Sequence, residues 1–115
     1  MHLAAGRRVV VWYPADPATT AGHRQEIIDL GGFLNPDLQA KIPAGFRPLY
    51  KTDAYENAPA ATAAAKFPLV VFSHGFAGYP EQSVSLTTHL ASWGFVVVAP
   101  DHVERSLDGL LGTAA

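Results

Sequence analysis

The chain has 115 residues, 49% of them hydrophobic and 16% charged, and a formal net charge of −2. That is the length of one domain at most, and the composition excludes a disordered chain. Near-neutral charge with scattered basic residues excludes a nucleic-acid partner, and a cysteine count of 0 excludes a disulfide framework or a thiolate zinc site.

In chain order, Met1 to Gly6 lacks a charged region followed by an apolar core. No signal peptide is expected, and with Met1 as the native start the expected compartment is the cytoplasm. No apolar run reaches the roughly 18–20 residues that cross a bilayer. Residues 8–14 open with RVVVWY, β-branched and aromatic, and predict a first strand stopped at Pro14. Gln25 to Leu30, with Ile27, Ile28 and Leu30 before Gly31-Gly32, predicts a single helical turn. Leu34 to Ile42 predicts a short helix, with Asn35-Pro36 as its start signal. Ala44 to Lys66 reads as a loop, because its alanine-rich half carries Pro59 and has no apolar face.

The stretch from Lys66 to His102 is the organising element. Residues 68–73 (PLVVFS) form an apolar strand of the kind covered on both faces. Gly75 and Gly78 punctuate a loop in which φ > 0 and close approach are cheap. A helix over 80–93 starts at Pro80 and Glu81 and buries a stripe of Leu86, Leu90 and Trp93 in the core, and Gly94 stops it. Residues 95–100 (FVVVAP) form the next strand. Strand, helix and strand make a βαβ unit with a parallel pair, so the fold class is α/β. Beyond it, Asp101 to Ser106 is a polar loop and Leu107 to Ala115 runs out without closing a fold. Three strands and one good helix leave sheet edges unpaired, so the chain reads as a piece of a larger domain, with self-association or a complementing C-terminal segment as its expected partner.

Ligands of open α/β sheets bind beyond the carboxyl ends of the strands. His74, Gly75, Phe76 and Tyr79 lie at one such end, Asp101 and His102 at the next. A backbone N–H leaving the Gly75 turn has the setting needed to stabilise an oxyanion, worth about 10²–10³ in rate per donor. Each residue has a structural alternative. His74 holds the turn by bonding across it, Asp101 and His102 cap the strand end, and Tyr79 covers the helix start. His74, Asp101 and His102 are also ordinary zinc ligands, although two strand-end loops rarely converge ligands by accident. Ser73, Ser83, Ser85 and Ser106 become nucleophiles only beside a base, and none sits in an exposed strained turn.

The FSHGF loop, the helix end LASWGF and the strand VVVAPDH resemble the N-terminal part of an α/β-hydrolase-fold serine esterase. The similar branch includes platelet-activating factor acetylhydrolase, dienelactone hydrolase and the cutinase-like polyester hydrolases, and VVVWYPA at Val9 to Ala15 resembles its early strand. The likeness covers about half the chain. It implies that the Phe76 N–H is half of an oxyanion hole, that the substrate is a small-molecule, lipid or polyester ester, and that no cofactor is needed. The fold's G-x-S-x-G elbow, whose triad follows in the chain order Ser, Asp or Glu, His, does not occur here. The resemblance therefore places nucleophile and triad after Ala115 and implies an N-terminal fragment, residues 1–115, inactive alone. The rival reading is a non-catalytic α/β module that binds a ligand or partner through the same loops.

Overall fold

The structure is a computed structural model that describes residues 7–62 and 66–112. The readings made on Met1 to Gly6, on the loop at 63–65 and on the last three residues of the tail lie outside the described residues. Strands run in the order β1 (Val9–Trp12), β2 (Gln25–Asp29), β3 (Leu49–Tyr55), β4 (Leu69–Val71) and β5 (Val96–Pro100). Helices are α1 (Pro36–Gln39), α2 (Val84–Ser92) and α3 (Leu107–Leu111), with short 3-10 turns at Pro17–Thr19 and Leu30–Phe33. One sheet has the order β1-β5-β4, and β2 with β3 makes a second, two-stranded sheet. Mixed sheets with helices packed on them are an α/β architecture.

The expected βαβ unit is present: β4 and β5 are parallel, with Val70 opposite Val97, and α2 makes the crossover. β1 pairs antiparallel on the other side of β5, Trp12 opposite Val97. The core lies between this sheet and α2, where Trp12, Val84, Ala91, Val97 and Ala99 are buried together with Ile28 of β2. Each large aliphatic or aromatic side chain buried there contributes about 1.5–3 kcal/mol. Gly94 ends α2 at φ 99°, with Phe95 N–H donating to the Leu90 carbonyl and Gly94 N–H to the Ala91 carbonyl. Those two bonds form a Schellman cap, which satisfies carbonyls the helix leaves open.

Several expectations are corrected. The helix begins at Val84, and Pro80 and Glu81 lie in the turns before it. Glu81 is drawn to the Arg8 guanidinium, which it binds through both oxygens at 2.9 and 3.0 Å, so it is not spent on the helix dipole. The buried face of α2 is Val84, Thr87 and Ala91, small or compact side chains that let the helix approach the sheet closely. Leu86 at 53% and Trp93 at 74% exposure face outward, and of the predicted stripe Leu90 alone packs against the core. Nor is β4 covered on both faces: Leu69 and Val71 are 63% and 64% exposed, while Val70 and Phe72 pack against the core.

The predicted helical turn at Gln25 to Leu30 is β2, and the predicted loop from Ala44 contains β3. The two pair antiparallel, so Ile27-Ile28 gains a ladder that local periodicity cannot reveal. The short helix at Leu34 to Ile42 is a single turn, α1, whose N–H at Leu38 is capped by the Asn35 side chain at 3.0 Å. The tail is not structureless, because Ser106 accepts from Gly109 N–H at 3.0 Å and caps α3. The strands expected at 8–14, 68–73 and 95–100 shrink to their paired residues.

Candidate active-site loop

Because β4 and β5 are parallel, the loops that leave them emerge on the same side. They stay stitched together beyond the strands. Ala77 N–H donates to the Arg105 carbonyl at 2.6 Å, Leu107 N–H donates to the Gly78 carbonyl at 2.8 Å, and Gly78 with Ser106 forms an isolated parallel bridge. The facing of these loops, expected from sequence, is thereby observed in detail.

Gly75 to Gly78 is a tight turn, closed by Gly78 N–H donating to the Gly75 carbonyl at 2.9 Å. Its left-handed residue is Ala77, at φ 60°, where glycine was expected to carry the positive φ. A left-handed third residue belongs to a type II turn, and a non-glycine there is held in a costly conformation. A Cβ on Gly75 would meet nothing within 4 Å. Gly78 is the sterically required glycine, since a Cβ there would press on the Gln82 side chain and on the Gly75 carbonyl. Gln82 also accepts from Gly75 N–H at 3.2 Å, tying the turn to the start of α2.

His74 is buried beneath this turn. Its Nδ1 lies 2.8 Å from the Gly75 carbonyl, an acceptor, so Nδ1 carries the proton. Its Nε2 accepts from His102 N–H at 2.9 Å. One donor and one acceptor describe a neutral imidazole with both nitrogens committed to the protein. Asp101 is equally buried; its Oδ1 stands 3.5 Å from His74 Nε2 and has no donor among the described residues. The Asp101 backbone is pinned on both sides, its N–H donating to the Arg8 carbonyl and its carbonyl accepting from Arg7 Nη1, both at 2.9 Å.

His102 is half-buried, its ring 5.0 Å from that of His74. Burial first, then the Arg105 charge, holds its imidazole below the ordinary value. A neutral Nε2 suits the contact it makes, 3.1 Å from Ser73 Oγ. Ser73 thus has an imidazole beside it, a pairing invisible in the sequence because 29 positions separate the two and only the β4–β5 register joins them. Among the described residues no carboxylate orients the other ring nitrogen, so the pair is not a triad. The remaining serines are committed elsewhere: Ser85 to the Tyr50 hydroxyl at 3.1 Å and Ser106 to the α3 cap, while Ser83 stands at the start of α2.

Phe76 is 78% exposed, and its backbone N–H has no acceptor among the described residues. Tyr79 turns away to stack on Phe33, with ring centroids 5.4 Å apart, and the Arg8 guanidinium lies over the other aromatic at 5.1 Å. Tyr79 therefore buttresses the base of the loop. It also borders a groove with Ile28, Leu30, Tyr50 and the first turn of α2. A larger groove runs along β1, lined by Trp12, Tyr13, Tyr55 and Thr88, and none of the predicted site residues reaches it.

The platelet-activating factor acetylhydrolase, isoform II, family profile matches residues 44–108, which hold β3, β4, α2, β5 and both strand-end loops. A platelet-activating factor acetylhydrolase of Canis lupus familiaris is 38% identical over 71 residues, 62% of this chain and 16% of that relative. The chain therefore spans a small part of the length of the curated relative it matches. No solved structure matches the chain. With more than half of its residues inside the family's profile and the strand-loop-helix-strand unit intact, the chain belongs to the platelet-activating factor acetylhydrolase, isoform II, family.

Proposed function

We propose that the chain is the N-terminal, oxyanion-loop portion of an α/β-hydrolase-fold serine esterase, and that it is inactive by itself. The carrying observation is the Phe76 N–H, without an acceptor among the described residues, on a turn fixed against the end of β5. A donor held rigidly at a strand end costs no reorganisation when negative charge develops before it, and that preorganisation is the main source of its catalytic worth. The substrate is a carboxylic ester, attacked by a serine that another segment supplies, with an acyl-enzyme as intermediate. The exposed Phe76 ring would line the acyl side of the cleft. Outward-facing Leu69, Val71, Leu86 and Trp93 support the reading, since a chain that ended its fold here would leave all four in water.

Hydrolysis of p-nitrophenyl butyrate tests this. The 115-residue chain alone should match the buffer rate. The complete product of its coding sequence should hydrolyse the ester, and a serine-directed phosphonate should abolish that rate. Phosphonate-sensitive turnover by the short chain, or an inert complete product, would overturn the proposal.

A further inference from the structure

On the oxyanion reading of Phe76, His74 has a part to play. The Gly75 carbonyl and the Phe76 N–H belong to one peptide group, which is planar and trans, so the two bonds point in opposite directions. Whatever holds the carbonyl inward therefore aims the N–H outward. Two donors hold it: His74 Nδ1–H at 2.8 Å and Gly78 N–H at 2.9 Å. The second lies within the turn and moves with it. The first is anchored outside, because His74 Nε2 is itself fixed by the His102 N–H at the end of β5. The side chain is 0% exposed and cannot swing to water.

We propose that His74 is the positioning residue for the oxyanion donor: it sets the aim of the Phe76 N–H through the shared peptide plane and registers that aim to β5. The residue touches no reacting atom. Its two nitrogens join two backbone groups that belong to different strand ends, and no other side chain among the described residues bonds the Gly75 carbonyl. Ala77, in its left-handed conformation, supplies the complementary constraint from the far side of the turn through the Arg105 carbonyl.

Nuclear magnetic resonance on the isotope-labelled chain tests the proposal without any turnover. Long-range nitrogen–proton correlation should place the His74 ring proton on Nδ1, and the His102 amide should exchange slowly. In His74→Phe, which keeps a ring and removes both polar atoms, the residual dipolar coupling of the Phe76 N–H should fall toward zero, with Val97 and Ala99 unchanged. A ring proton on Nε2, or an unchanged Phe76 coupling in a folded His74→Phe chain, would overturn the assignment. If that variant does not fold, the tautomer of the wild-type ring decides. Loss of the positioning role would leave the esterase assay to judge Phe76 separately.

Discussion

Gly78 and Ser106 lie opposite one another in a parallel bridge that continues the pairing of β4 and β5 into their loops. Neither residue is in a strand, and both are buried. The contact exists because Gly78 has no side chain: the Gln82 amide and the Gly75 carbonyl occupy the space a Cβ would need. The Gln82 end can move, but the carbonyl cannot. Gly78→Ala should therefore cost about 1–3 kcal/mol, the usual range for forcing atoms into filled space. Urea unfolding of the two chains measures it, and Gly75→Ala, with open space around its Cβ, is the control that should cost far less.

Ala77 carries the opposite signal. At φ 60° it occupies a conformation that glycine adopts freely and alanine adopts at a cost. Ala77→Gly should stabilise the chain by about 0.5–1 kcal/mol, the steric relief less the extra entropy of the unfolded glycine. A raised melting temperature is the expected result; an unchanged or lower one would mean that the turn relaxes around alanine without strain.

Arg8 and Glu81 form the ion pair that fastens the start of β1 to the turns before α2. Glu81 is 8% exposed and engages the guanidinium with both oxygens, and the same guanidinium covers the Phe33 ring. Removing one member strands the other. Glu81→Gln should cost about 2 kcal/mol, below the 3–5 kcal/mol of a fully buried pair because Arg8 keeps some water. Chemical denaturation at low and high salt checks it, and the pair's partial burial should make the loss only weakly dependent on salt.

The ion pair also shows what a sequence discloses. Glu81 reads locally as a helix-start carboxylate, yet its partner is 73 positions away and is found only by folding. The β4–α2–β5 unit was legible because each of its signals is local: β-branched runs, a glycine stop, short connections. Even the helix stop at Gly94 could be placed. β2 and β3 were not legible, because Leu49–Tyr55 is a polar strand with no apolar alternation and forms only on Gln25–Asp29. The rotation of α2 escaped for a different reason. Hydrophobicity points to Leu86 and Trp93, whereas close approach to Val97 and Ala99 selects Thr87 and Ala91. At the site, the loop sequence pointed to Phe76 and His74, but the tautomer of His74 and the Ser73–His102 contact depend on strand register.

His102 makes stability depend on pH. Its folded-state value lies below the ordinary one, chiefly through burial, so the unfolded chain binds a proton more readily than the folded chain. Stability should therefore be flat above the unfolded value of about 6.5 and should fall as pH drops through it. Carboxylates held low by arginines, Asp29 by Arg47 and Glu104 partly by Arg7, lose their contribution only at more acidic pH. Melting temperatures between about pH 7.5 and 5.5 span the histidine range, and His102→Gln should reduce that slope by the His102 share. An unaltered slope would show that His102 does not titrate differently on folding.

The outer edge of β4 predicts how the chain behaves in solution. Val96 N–H donates to the Pro68 carbonyl and Phe72 N–H to the Val98 carbonyl, so residues 68, 70 and 72 face β5. The peptide groups of Leu69 and Val71 then point away from it, and no described strand pairs with them. An apolar edge with open donors and acceptors is a template for another strand. The chain should self-associate, and sedimentation velocity should show a weight-average mass that rises with concentration. A lysine on such an edge blocks pairing because its charge would be buried in the contact. Val71→Lys should restore a monomer with little loss of stability, since the side chain it replaces is 64% exposed. If Val71→Lys associates as strongly as the parent, the contact runs through the exposed Leu86 and Trp93 face of α2, and Trp93→Lys becomes the variant that should dissolve it.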